Sequence, residues 1–213
     1  MFSVVIPTMW SIPHYTNALI RNYVKSELIT EIIIIDNNHS EYKHVDIYNH
    51  EKVKIHVMDK NIFVNPAWNL GVELSENNNV IISNDDIVIK PDQMLDFLIK
   101  NDTWDCIGID TSSYTETNTE FELKELSRSN KLNDLISVPY GFGCLMVIKR
   151  DSWITIPNNI KIYFGDNWIV NTYKNVFSIK TIDKLKTKMA STSSNPIFKA
   201  IKDSDNSNFL KQI

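Results

Sequence analysis

The sequence predicts an α/β domain: a mostly parallel central sheet with helices on both faces. Two observations carry this. Short runs rich in β-branched residues alternate with segments of helical period, which is the order of βα units. The runs are also continuously apolar rather than alternating, as strands are when both of their faces are buried. Composition agrees, since 43% apolar and 23% charged residues over 213 positions suit a globular chain with a substantial core.

The elements follow in order. "FSVVIP" (2–7) reads as the first strand, "EIIIID" (31–36) as the second and "VKIHVM" (53–58) as the third. In "NPAWNLGVELSE", Asn65 can cap a helix and Pro66 suits its first position. Ala67, Leu70, Gly71 and Leu74 then share one face. "NVIISN" (79–84) is the next strand, and "PDQMLDFLIK" is a helix opening at Pro91 with Met94, Phe97 and Leu98 on one side. "DCIGID" (105–110) and "GCLMVIK" (143–149) are the last strand candidates. Between them, 111–139 is a polar insertion, expected as a surface loop or lid with a short helix around "FELKELSR". After Ile182 the chain turns basic ("DKLKTK") and then small and polar ("ASTSSN"), so 183–213 is expected as a tail or linker. No closing element is evident there, as in one module of a longer chain.

Charge and hydropathy exclude several classes. A net charge of −4 argues against a broad basic face for nucleic acid. No apolar stretch reaches the ~20 residues of a membrane helix. "MFSVVIPTMW" lacks the flank and length of a signal peptide and is interrupted by Pro7, so a cytoplasmic location is expected. Cys106 and Cys144 fall in apolar runs and read as reduced core thiols.

In open α/β sheets ligands gather at the carboxyl ends of the strands. Three polar clusters fall at such ends: Pro7-Thr8, Asp36-Asn37-Asn38 and Asn84-Asp85-Asp86. Asn and Asp are ordinary turn formers, so one cluster signals little, but three on one edge point to a site. "PTMWSIPHY" after the first strand holds neither GxGxxG nor a P-loop, which disfavours a dinucleotide oxidoreductase and a P-loop kinase. A phosphate site without glycines needs another positive charge, and a divalent cation on one or two carboxylates plus substrate oxygens supplies it.

"SVVIPT", "EIIIIDNN", "NPAWNLG" and "NDD", in this order, resemble the nucleotide-sugar half of GT-A fold glycosyltransferases, most like the inverting family 2 group. "YGFGCLMVIKRDSW" and "YFGDNW" resemble that group's acceptor half, and "ISNDDIVIKPD" is like its rhamnosyltransferase-type members. The resemblance covers roughly residues 2 to 180. It implies a single Rossmann-like domain over 1–182, with a nucleotide-sugar half (about 1–100) and an acceptor half (about 101–182). It further implies transfer of a hexose or deoxyhexose, such as glucose or rhamnose, from a UDP- or dTDP-sugar donor to a hydroxyl of a glycan acceptor, with inversion.

Site roles are implied residue by residue. Pro7, Thr8, Trp10, Asp36 and Asn38 would line the nucleotide, with Asp36 accepting from base or ribose. Asn69 and Gly71 would line the nucleotide-sugar pocket, and Asn84 and Asp85 would face the donor. Asp86 would hold Mn²⁺ or Mg²⁺ with the diphosphate. Gly141, Gly143 and Trp168 would border the acceptor or sugar pocket, and Asp166 would be the catalytic base. Asn84 stands where the group often has an aspartate, and all five histidines precede the metal motif. The group's late histidine is therefore missing, and Lys186, Lys188 or Ser191 could replace it at the diphosphate.

Plainer readings stand beside these. Asp166 could cap a helix, where the dipole would lower its pKa. Asp36 could form an Asx turn, the tryptophans could be packing, and the late lysines a solvated stripe. A sugar-phosphate nucleotidyltransferase and a non-catalytic carbohydrate-binding module are the competing functions.

Overall fold

Fifteen helices and strands order the described part of the chain in the computed structural model: β1 (Phe2–Thr8), α1 (Pro13–Lys25), β2 (Ile29–Asp36), β3 (Val53–Val57), α2 (Val64–Leu74), β4 (Asn79–Ser83), β5 (Ile87–Val88), α3 (Asp92–Lys100), β6 (Cys106–Ile109), β7 (Glu122–Glu125), β8 (Leu145–Lys149), α4 (Gly165–Thr172), β9 (Val176–Lys180), β10 (Lys186–Thr187) and α5 (Lys199–Leu210). The structure describes residues 1–38, 49–113, 120–127, 135–180, 186–187 and 196–213.

Among these residues, eight strands form one sheet in the order β3-β2-β1-β4-β8-β6-β9-β7. The first four run parallel, and β8 enters antiparallel between β4 and β6. β9 returns parallel to β6, and β7 closes the edge antiparallel to β9. β5 and β10 pair apart from this sheet, antiparallel, with Lys186 opposite Val88 and Thr187 opposite Ile87.

Period-two geometry sorts the apolar strand residues onto two cores. Val4, Ile6, Ile32, Ile34, Ile81 and Val147 pack with Leu19, Ile20 and Tyr23 of α1 and Met94, Leu95 and Leu98 of α3. Val5, Ile33, Ile35, Ile82, Met146 and Ile148 pack with Ala67 and Val72 of α2, Ile169 and Val170 of α4 and Phe209 of α5. Helices cover both faces, as the continuous apolar runs predict. Gly71 makes this possible on α2, where an added Cβ would lie 2.1 Å from a Val5 methyl. The close approach expected of Gly71 is therefore to β1 and not to a sugar.

Three local expectations need correction. "FELKELSR" does not open a helix: 122–125 is the edge strand β7, with Leu123 half-buried between exposed Glu122 and Lys124. Charged residues suit an edge strand, and their helix propensity masked the alternation. Helix α2 is not capped by Asn65, because Phe63 occupies the cap position, with a positive φ of 68° and an extended ψ of 174°. Residues 143–144 precede β8 in a 3₁₀ turn, Phe142–Cys144. Within 183–213, α5 buries Asp205 and Phe209 against the domain. Cys106 and Cys144 are buried and unbridged. No helix among the described residues is long and apolar enough to cross a membrane.

At the amino ends of the strands lies a buried carboxylate with a full set of partners. Glu31 accepts from Ser3 Oγ (2.6 Å), Lys54 Nζ (2.7 Å) and the Glu76 N–H (3.0 Å). Burial alone would raise its pKa, but these bonds outweigh burial and hold it below the usual range.

Candidate active site

The polar strand ends predicted as a lip do meet. Thr8 lies opposite Asp36 in the β1–β2 register, and Asn37 N–H donates to Thr8 O at 2.9 Å. The Thr8 hydroxyl donates to Asp85 Oδ2 at 2.5 Å and accepts from Trp10 N–H at 2.9 Å, tying the end of β1 to the end of β4. Trp10 takes a left-handed conformation (φ 56°) in the same turn and is buried. Thr16 of α1 donates to the Asp85 carbonyl at 3.1 Å, so the acidic turn is held from two elements. Pro7 is buried in β1, in register with Ile35.

Because β8 is antiparallel to β4, the turn that precedes it arrives at the same lip. Asn84 N–H donates to Cys144 O at 2.9 Å. Gly141 has φ 84°, and a Cβ there would lie 2.6 Å from Thr111 Oγ1, so the turn requires glycine. A Cβ on Gly143 would lie 3.1 Å from Asp166 Oδ2, so this glycine lets the first turn of α4 bring its carboxylate in. Burial, followed by the charges of Asp86 and Asp166, pushes the Cys144 thiol up to about 11. One residue thus feels both carboxylates.

The carboxylates here are incompletely partnered. Asp36 is wholly buried; its Oδ1 accepts Asn38 N–H at 2.9 Å in an Asx turn, while Oδ2 has no partner among the described residues. Asp86 likewise keeps a buried Oδ1 without a partner among them. Buried acceptors of this kind are costly, and they call for a donor or a cation. Burial lifts Asp85 to about 6 against the Thr8 hydrogen bond, and the neighbouring Asp86 adds to the rise. Burial also raises Asp86. Asp166 is not the helix cap, a position held by Phe164 (φ 63°). Burial raises its pKa against the opposing Asn167 N–H (2.9 Å), the direction a general base needs.

Other predicted positions do different work. The Asn69 amide is committed in both directions to Ile156, donating to its carbonyl (2.8 Å) and accepting its N–H (3.0 Å), which fastens the 153–160 segment. Asn38 Nδ2 donates to Met9 O at 3.4 Å. Trp168 is half-buried in α4, its indole N–H without a partner among the described residues. Of Lys186 the backbone is placed, in β10; Lys188 and Ser191 lie outside the described residues. Thr16 and Cys144 were not predicted: a hydroxyl inside a helix and a thiol inside an apolar run carry no signal of what they will touch.

No group of three or more potential metal ligands occurs among the described residues. A Mg²⁺- or Mn²⁺-type site of one carboxylate completed by substrate phosphate and water is still met by the orphaned Asp86 Oδ1, whereas Asp85 Oδ2 is engaged by Thr8.

No protein-family profile matches the chain, and no curated protein sequence does. Solved structures do match. S. aureus TarS 1-349 in complex with UDP aligns at TM-score 0.59 and 16% identity, over 83% of this chain and 57% of that one. The same protein with UDP-GlcNAc aligns at 0.53 and 14%, over 83% and 55%. HddC from Yersinia pseudotuberculosis aligns at 0.56 and 11%, over 88% and 93%. The likeness is one of fold, and the chain spans little more than half of TarS 1-349.

Proposed function

We propose that this chain is a glycosyltransferase that takes a hexose or deoxyhexose from a UDP- or dTDP-sugar and passes it, with inversion, to a glycan hydroxyl. One observation carries the reading: two buried carboxylate oxygens, Asp36 Oδ2 and Asp86 Oδ1, stand without partners among the described residues on the lip that Asp166 also reaches. The fold supports it, since TarS adopts a similar one and has been crystallised with UDP and with UDP-GlcNAc.

Asp36 Oδ2 accepts the N3–H of uracil or thymine, where cytosine has an acceptor nitrogen instead. The Thr8–Asp85 hydrogen bond fixes the acidic turn facing the ribose or sugar. Asp86 would hold Mn²⁺ or Mg²⁺, which supplies Lewis-acid stabilisation of the departing diphosphate. The acceptor oxygen forms a bond to the anomeric carbon as the bond to the diphosphate oxygen breaks on the opposite face. Asp166 takes the acceptor proton, its raised pKa matching that task. Gly143 lets that carboxylate approach the turn before β8, at the lip where the acceptor would arrive. Pairing of β10 with β5, which begins one residue after Asp86, supports Lys186 as a diphosphate contact; Lys188 and Ser191, proposed with it, lie outside the described residues.

The test is a panel of nucleotide sugars incubated with the protein and Mn²⁺, reading slow release of free nucleotide. Release from a UDP- or dTDP-sugar is expected. Silence across the panel, with pyrophosphate formed instead from a nucleoside triphosphate and a sugar phosphate, would assign a nucleotidyltransferase.

A further inference from the structure

The segment that delivers Asp166 is held from the far end of the chain. Asp205, in the middle of α5, is 1% exposed, and its carboxylate accepts three consecutive backbone N–H groups: Lys161 at 3.0 Å, Ile162 at 2.8 Å and Tyr163 at 3.0 Å. One turn further, the Phe209 ring stacks on Phe164 with centroids 5.5 Å apart and planes 19° from parallel. Asn208 Nδ2 donates to Asn159 O at 2.7 Å. Three residues of one helix therefore grip 159–164 along its length.

The same segment is held from α2. Asn65 Nδ2 donates to Ile160 O and Tyr163 O, both at 3.2 Å, and Asn65 N–H donates to Lys161 O at 3.0 Å. A Cβ on Gly165 would lie 2.2 Å from Asn65 Oδ1, so the start of α4 packs directly on this residue. Phe164 then turns through a left-handed conformation, φ 63°, into the first turn of α4, where Asp166 sits against Gly143. A left-handed phenylalanine persists only where its surroundings fix it. Those surroundings are Asn65 on one side and α5 on the other.

We propose that Asp205 is a positioning residue for Asp166, and that α5 acts as the strut that sets the candidate base at the lip. The inference rests on Asp166 being the base. Asp205→Asn places an amide N–H₂ where a backbone N–H must find an acceptor, loosening 161–163 without removing the helix. A small displacement of a catalytic group is costly, so kcat should fall about 10- to 100-fold. The donor KM should stay near wild type, because Asp36 and Asp86 are held by other elements. Amide hydrogens of 161–163 should exchange faster.

A double-mutant cycle separates positioning from general loosening. In an Asp166→Asn background, Asp205→Asn should cost no further turnover per folded molecule, since the group it places is already gone. Equal fold-losses from Asp205→Asn in both backgrounds, or an unchanged kcat in the single variant, would overturn the positioning role while leaving the base intact. Full turnover in Asp166→Asn alone would overturn the base, and the positioning role with it. Should Asp205→Asn fail to fold, Asn208→Ala removes a milder contact on the same segment. It should show a smaller kcat loss in the Asp166 protein and none in Asp166→Asn; a loss equal in both would again count against the strut.

Discussion

The two ends of the central sheet treat a buried carboxylate in opposite ways. At the amino ends, Glu31 is surrounded by the Ser3 hydroxyl, the Lys54 ammonium and the Glu76 N–H, and its pKa is lowered. At the carboxyl ends, Asp36 and Asp86 each keep a buried oxygen unmatched among the described residues, and Asp85, Asp86 and Asp166 are all raised. Folding alone accounts for the first arrangement, because each acceptor finds a donor. It does not account for the second, which leaves desolvated oxygens at a cost unless something else satisfies them. The difference separates a carboxylate that stabilises from carboxylates that, under the proposed function, a ligand would complete.

Substitutions should divide along the same line. The largest effect is expected from Asp86→Asn, which should abolish the Mn²⁺-dependent rise in melting temperature caused by UDP while the protein stays folded. In the wild type the stabilisation behind that rise should be about 2.7 kcal/mol at a hundredfold excess over Kd. Asp166→Asn should cut transfer by roughly 10²-fold or more and leave UDP binding in place, as read by steady-state kinetics beside calorimetry. Glu31→Gln should do the reverse: about 1–3 kcal/mol less stability in urea, with turnover per folded molecule unchanged. A Glu31 variant that lost activity yet kept its stability would break the comparison.

The smallest effect is in the pH dependence of stability, where the two ends should have opposite slopes. Asp85, at about 6 when folded, is raised above its ordinary value. Its contribution to stability is therefore fully present below about pH 4 and lost as pH rises through about 6. Glu31 is lowered, so its contribution is present above about pH 4.3 and lost as pH falls through its folded value. Melting curves of Asp85→Asn should lose the decline between about pH 4 and 6, and those of Glu31→Gln should lose part of the acid-side fall.

The strands of this fold were legible where isoleucine and valine run together. Ile32 to Ile35 and Val80 to Ile82 are buried on both faces, and their runs show it. The lip was legible because Asp and Asn interrupt such runs at strand ends. What escaped notice depends on tertiary partners. Strand β7 has one inward leucine among charges, too little alternation to outweigh helix-forming residues. Strand β9, "VFSIK", carried a β-branched and aromatic signal but is not among the strands expected from the sequence. Asp205 stands in "KDSDNSN", where nothing distinguishes it from its neighbours. Only folding reveals that three backbone N–H groups converge on it. Asn69 shows the converse: a residue implied at the sugar pocket proves to be a fastener for Ile156.

The central claim is that the unmatched oxygens of Asp36 and Asp86 await a nucleoside diphosphate and its cation. Calorimetric titration of the wild-type chain with UDP, with and without Mn²⁺ and beside CDP, tests it most directly. Binding of UDP that tightens with Mn²⁺ and exceeds that of CDP is the predicted result. Absence of binding by UDP, dTDP and CDP alike, in the presence of Mn²⁺, would contradict it.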